Sequence, residues 1–319
     1  MSERLTRLLG SLAALAGSSA CVEVPDLGTD AGPTCTVSVD STWPIDGAQD
    51  FYHRSALEFE LSEPDPTAVV AAEFPGEQAV SADGLWISYL PDEPLEPETV
   101  YEAGLDYCHG SPRISFSTSE LGLPVESGAT MLGRTFELDL TSGRYLQSSD
   151  VAQAFSAAFD RTVLFEVQFD EGAGLGVLAG MSDGGEGSVS QDPCQPTSSS
   201  LQVDNDEAPF FSFRLDEFEL VGDAGALTLV AFSLTGTIAP DAEFVGGITW
   251  EATAPAGQLG ELMGLDAEEL CELLEGSDAG CLPCPDGPQS CITAAADRME
   301  AWSVPVALES VDVACTSGD

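Results

Sequence analysis

Lysine is absent from this 319-residue chain: all nine basic residues are arginine, set against 55 acids, for a formal net charge of −46. Without lysine there is no phosphate-loop lysine and no Schiff base. A chain this negative repels a phosphate backbone, so nucleic acid is excluded as a partner. Only two histidines, His53 and His109, are present, which leaves little room for general-base chemistry. Beyond the N-terminus there is no apolar run of about eighteen residues, so no membrane helix is expected. What the chain does have is an ordinary hydrophobic fraction of 43%, enough for a real core.

Residues 1–20 (MSERLTRLLGSLAALAGSSA) combine a positive start at Arg4 and Arg7, an apolar stretch from Leu8 to Ala16, and small residues up to Ala20. That order is the pattern of a secretory signal. Ser18-Ser19-Ala20-Cys21 resembles the lipobox of bacterial lipoproteins, with Ser18 standing where the family usually has an aliphatic residue. The resemblance implies that Cys21 is lipidated. It also implies an outer-membrane lipoprotein, because Val22 is not the aspartate that usually retains such proteins in the inner membrane. The alternative is plain signal-peptidase cleavage at the same bond, which small-x-small also permits.

Nine cysteines are an odd set for an exported chain; lipidating Cys21 leaves 9 − 1 = 8. These are Cys35, Cys108, Cys194, Cys271, Cys281, Cys284, Cys291 and Cys315, all read as disulfide candidates. Cys281-Leu282-Pro283-Cys284 also matches a redox CxxC or half of a zinc site. However, no thioredoxin-like setting and no nearby histidine accompany it, and an oxidising compartment favours stapling. Connectivity does not follow from the sequence.

Residues 22–34 read as a tether. Residues 35–118 alternate apolar and polar in short runs (35–40, Leu57–Leu61, Leu85–Tyr89, Thr99–Tyr101, Ile114–Thr118) between turn signals, which fits a seven-strand sandwich. Four stretches resemble bacterial Ig-like domains of the S-layer (SbsA) type. They are Pro44-x-Asp46-Gly47-Ala48, Leu57-x-Phe59-x-Leu61-Ser62-x-Pro64, Pro94-Leu95-x-Pro97-x-Thr99-x-Tyr101 and Phe116-x-Thr118. The resemblance implies a spacer or binding module; Cys35 and Cys108 depart from the family. Residues 119–130 read as a joint.

Residues 131–319 predict a second antiparallel β domain, barrel or sandwich, with two short helices and a Cys-rich loop. Strands are expected near 136–140, 163–169, 175–181, 209–220, 226–237, 244–253 and 303–313. A helix over Val151–Phe159 and another capped by Asp266 and Glu269 complete the set. The fold class is therefore mainly β throughout.

Candidate chemistry is sparse. Gly180-x-Ser182-x-Gly184 matches a nucleophile pattern, but both histidines precede it and lie in the other domain. His53 and His109 read as isolated side chains rather than a metal pair. Asp204, Asp206 and Glu207 are the best calcium candidates, without EF-hand spacing. Among 55 acids, no particular glycosidase pair stands out. The expectation is a non-enzymatic outer-membrane lipoprotein of a Gram-negative bacterium, on its periplasmic or cell-surface face. It would be a surface scaffold or binding module without a confident cofactor, attached to the membrane through its anchor, with an unknown protein or cell-surface partner. The alternatives are a lipid or small-ligand carrier with a cavity in residues 131–319, or a calcium-dependent adhesion module.

Overall fold

The computed structural model describes residues 35–147, 152–153, 155–156, 161–170, 174–184, 189–200, 203–222, 225–275, 280–284 and 289–312. The expected signal segment and tether, with Cys21, and Cys315 lie outside them. Residues Val37–Asp319 form one compact unit, distinct from Met1–Thr36, and all that follows concerns that larger unit unless stated.

Its first part has seven strands: β1 (Val39–Trp43), β2 (Leu57–Leu61), β3 (Val69–Ala72), β4 (Gly76–Val80), β5 (Trp86–Pro91), β6 (Val100–Asp106) and β7 (Arg113–Ser117). They pair as one sheet in the order β1-β2-β5-β4 and another in the order β3-β6-β7. Four strands facing three in this order is the immunoglobulin-like sandwich. The alternation in β2 sets the geometry. Leu57, Phe59 and Leu61 are buried, while Glu58 and Glu60 point away from the core. Phe51 meets Phe116 edge-on at 4.9 Å between the sheets. The first strand starts later than the alternation from Cys35 suggests, because Ser38 instead donates its N–H to the Ser62 hydroxyl.

The second part contains β8 (Thr135–Leu138), β9 (Arg144–Tyr145), β10 (Val163–Asp170), β11 (Gly174–Met181), β12 (Ser198–Ser200), β13 (Val203–Asp204), β14 (Phe210–Gly222), β15 (Gly225–Ile238) and β16 (Phe244–Pro255). Helices α1 (Ala256–Met263) and α2 (Ala267–Leu273) follow, then β17 (Leu282–Pro283) and β18 (Ser290–Val304). One antiparallel sheet runs β12-β11-β10-β8-β18-β16-β15-β14-β13, with β9 and β17 also paired to β18. Its ends curl back so that β12 lies beside β14 and β11 beside β13, giving a nearly closed barrel.

The barrel interior is filled by rings. Phe136 stacks on Phe165 at 5.4 Å, Phe165 meets Phe213 at 5.8 Å, and Phe213 meets Phe232 at 6.5 Å. Phe232 stacks on Trp250 at 6.1 Å, and Tyr145 meets Trp250 edge-on at 5.9 Å. Burying each such side chain contributes about 1.5–3 kcal/mol. These rings occupy the space a carried ligand would need.

Asp266 caps α2 by accepting from the N–H groups of Glu268 and Glu269, and Glu269 reciprocates to the Asp266 N–H. Helix α1 escapes the sequence pattern because it starts after Pro255 without a side-chain cap and contains Gly257 and Gly260. Of the predicted helix near 151–159, residues 152–153 and 155–156 are helical; the rest lies outside the described residues. The expected last strand at 303–313 is corrected: β18 occupies Ser290–Val304, and residues 305–312 are irregular. Alanines 294, 295, 296 and 301 are buried on this strand, and such small side chains blur the period-2 signal. Pro305 then removes a ladder donor.

Cys271 of α2 pairs with Cys281, and Cys284 pairs with Cys291 of β18. The two cysteines of the CxxC therefore bond outward rather than to each other. Cys35, Cys108 and Cys194 are also disulfide-bonded. Bonds of this kind persist in oxidising compartments, and no helix among the described residues is long and apolar enough to cross a membrane. We expect Cys271→Ser with Cys281→Ser to cost about 2–3 kcal/mol, because the staple closes a loop of ten residues' separation. Urea unfolding checks this; an unchanged midpoint refutes it.

Candidate functional site

A concave surface lies where the sandwich meets the barrel, and two register shifts build its barrel wall. Between Trp250↔Ala296 and Ile248↔Met299, β18 carries the extra residue, so Asp297 and Arg298 face Thr249 alone. Between Ile248↔Met299 and Val245↔Ala301, β16 carries it, at Gly246 and Gly247. Bulges re-aim side chains and make room. Arg298 sits at φ 61°, in the left-handed region that disfavours a side chain. Gly247 has φ 60°, and a Cβ there would lie 2.3 Å from the Tyr52 ring; one on Gly246 would lie 2.5 Å from Leu121. Only glycine permits this approach of the sandwich and the joint.

Polar contacts lock the seam. Tyr52 shares a 2.7 Å hydrogen bond with the Thr237 hydroxyl of β15. Arg54 pairs with Glu207 at 2.7 Å and lies 4.1 Å over the Phe210 ring. The Glu126 N–H of the joint donates to the Pro240 carbonyl. At the centre, Glu58 of β2 accepts from Arg144 and Arg298, both at 2.6 Å, while Arg144 also forks onto Asp297. Burial works against the Arg144 charge, but the bonds and attraction of Asp297 and Glu58 outweigh it and raise its pKa. For Arg298 burial wins and its pKa falls, although Glu58 opposes this. Arg298 also lies 4.1 Å over the Trp43 ring.

Above this network is a cleft of about 810 Å³, within the range of small-ligand sites. Six carboxylates and two guanidiniums line it. Glu58 and Asp297 are neutralised as described. Asp50, Glu98, Glu120 and Glu300 are exposed and form no ion pair among the described residues. Trp302, 56% exposed, stacks on Phe244 at 5.0 Å along the same wall.

The residues singled out from sequence lie elsewhere or serve the seam. Glu207 is engaged by Arg54, and Asp204 accepts from the Asp206 N–H. No group of three metal-ligand side chains is found among the described residues. Ser182 is buried, and its hydroxyl accepts from the Thr162 N–H and O–H. His53 is buried beside Tyr52 and Gly122, whereas His109 is exposed in the Tyr107–Gly110 turn. Sequence reasoning missed the seam residues Glu58, Arg144, Asp297 and Arg298. A detectable signal was present: an adjacent glycine pair, Gly246-Gly247, inside a strand pattern.

No family model and no curated protein matches the chain. Among solved structures, an L,D-transpeptidase from Mycobacterium smegmatis is 12% identical, with 49% of this chain and 80% of that one covered at a TM-score of 0.22. The surface layer protein SbsC, domains 1–6, is 12% identical over 90% of this chain and 55% of that one, at 0.20. The N-terminal eight Ig domains of Down Syndrome Cell Adhesion Molecule are 11% identical over 87% and 36%, at 0.21. The expectation of a non-enzymatic protein is corrected here, because enzymes stand among the matched structures. At these scores the likeness assigns no activity.

Arg144→Met leaves two carboxylates short of a counter-charge and is expected to cost about 1–3 kcal/mol in urea unfolding. Arg113→Met, at an exposed pair with Asp106, stays within about 1 kcal/mol. Burial, reinforced by the Arg54 charge, lowers the His53 pKa from 6.5 to about 4. The unfolded chain takes up that proton first, so the stability His53 contributes above pH 6.5 is lost as pH falls through about 4. The Tm difference between wild type and His53→Gln should narrow across that window; a constant difference refutes it.

Proposed function

We propose that this is an exported lipoprotein of a bacterial outer membrane. Its Ig-like sandwich and barrel act together as one extracytoplasmic binding module. The observation that carries the reading is the cleft formed where the two are locked by Glu58, Arg144, Asp297 and Arg298. A spacer needs no concave seam with exposed carboxylates and an exposed indole. A rigid wall on both sides reduces the ordering cost of binding.

The disulfides support placement outside the cytosol. The signal pattern and Cys21 support a lipid anchor, with each buried methylene contributing about 0.8 kcal/mol. The barrel's packed aromatic interior favours a binding surface over a lipid carrier. The calcium-adhesion reading has less support, since Glu207 is committed to Arg54.

Metabolic labelling with palmitate, followed by membrane fractionation, tests the placement. Label in the wild type and none in Cys21→Ala is the expected result. An unlabelled, freely soluble wild-type product overturns it.

A further inference from the structure

The cleft between sandwich and barrel has a definite chemical preference. We propose that it binds an organic cation, an ammonium or guanidinium group carried on an aliphatic stem. This deepens the binding-module reading and rests on it. Asp50, Glu98, Glu120 and Glu300 reach the cleft, are exposed, and have no internal counter-ion among the described residues. Trp302 has one ring face against Phe244 and is otherwise exposed, so an indole is open to a cation or its stem.

The sandwich side of the cleft already shows how such a group is held. The Arg298 guanidinium lies 4.1 Å over the Trp43 ring while donating to Glu58 at 2.6 Å. An arriving cation would meet the same pair of groups, an indole face and a carboxylate, on the barrel side at Trp302 and Glu300 of β18. The field of a chain at −46 concentrates cations at such a surface and repels anions. The volume of about 810 Å³ accommodates a stem as well as its charged head.

Two sources carry this chemistry: a free polyamine, or the lysine and arginine side chains of a basic peptide. Calorimetry on the purified full-length protein separates them, using spermidine in one arm and a short Arg/Lys peptide in the other, each at low and high salt. Saturable one-to-one binding in either arm, weakened by salt, is expected. Glu300→Gln and Trp302→Ala should each weaken it by about 3- to 30-fold. Both side chains are exposed, and an unchanged melting curve verifies each fold. Glu219→Gln, an equal charge change at an exposed position outside the cleft lining, should change affinity less than about 2-fold.

An equal loss in Glu219→Gln, or multiple binding insensitive to Trp302, would mean diffuse attraction to a polyanion and overturns the proposal. So does no binding in both arms. So does tight, salt-independent binding of a neutral oligosaccharide that needs Trp302 when neither cation binds. Palmitate labelling of Cys21 without cation binding overturns this inference alone; cation binding by an unlabelled protein overturns only the membrane placement.

Discussion

The placement of a few positive charges governs how this molecule holds together. With 55 acids and nine arginines, most carboxylates must find water rather than a partner. Seven arginines lie beyond residue 20, and three of them, Arg54, Arg144 and Arg298, cross between the sandwich and the barrel. Long-range repulsion opposes bringing two acidic bodies together. Concentrating guanidiniums at the line of contact offsets that repulsion where it is strongest. Glu58 is the pivot, because its carboxylate takes both Arg144 and Arg298.

This electrostatic lock depends on backbone irregularity. A regular β16–β18 ladder would continue the alternation of its side chains without interruption. The two bulges instead turn Arg298 onto Glu58 and Asp297 onto Arg144, and open the Gly246-Gly247 notch for Leu121 and Tyr52. Arg298 adopts a left-handed conformation to do so. Its ion pair with Glu58 and its position over Trp43 stabilise that unfavourable backbone. The cleft is a consequence: two convex β bodies held at one line leave a concavity beside it.

The interior and the outside of the barrel answer to different physics. Inside, stacked and tilted rings fill the space and leave the barrel a packed core. Outside, the two described disulfides tie the helical segment after β16 to the start of β18. Function therefore has to be sought on the surface, where charge and exposed indoles coincide.

Short-range patterns were legible in the residues themselves. The Leu57–Leu61 alternation, the Asp266–Glu269 cap and the strands 163–169 and 244–253 all follow from local sterics and period-2 burial. So does the mainly β class. The Cys-rich region was legible as a stapled loop, but its pairing was not, since that requires knowing which chains of atoms approach within bonding reach. The alanine-rich β18 was misplaced because small side chains are buried without an alternating signal. The seam was hidden for a deeper reason. Glu58 and Arg298 are 240 positions apart, and nothing local in either marks it for the other. The primary structure by itself determined the secondary elements, the acidity and the supply of cysteine. Only tertiary packing decided which acids keep a counter-charge and which line an open cleft, because pairing of distant charges is settled by where the bulges aim them.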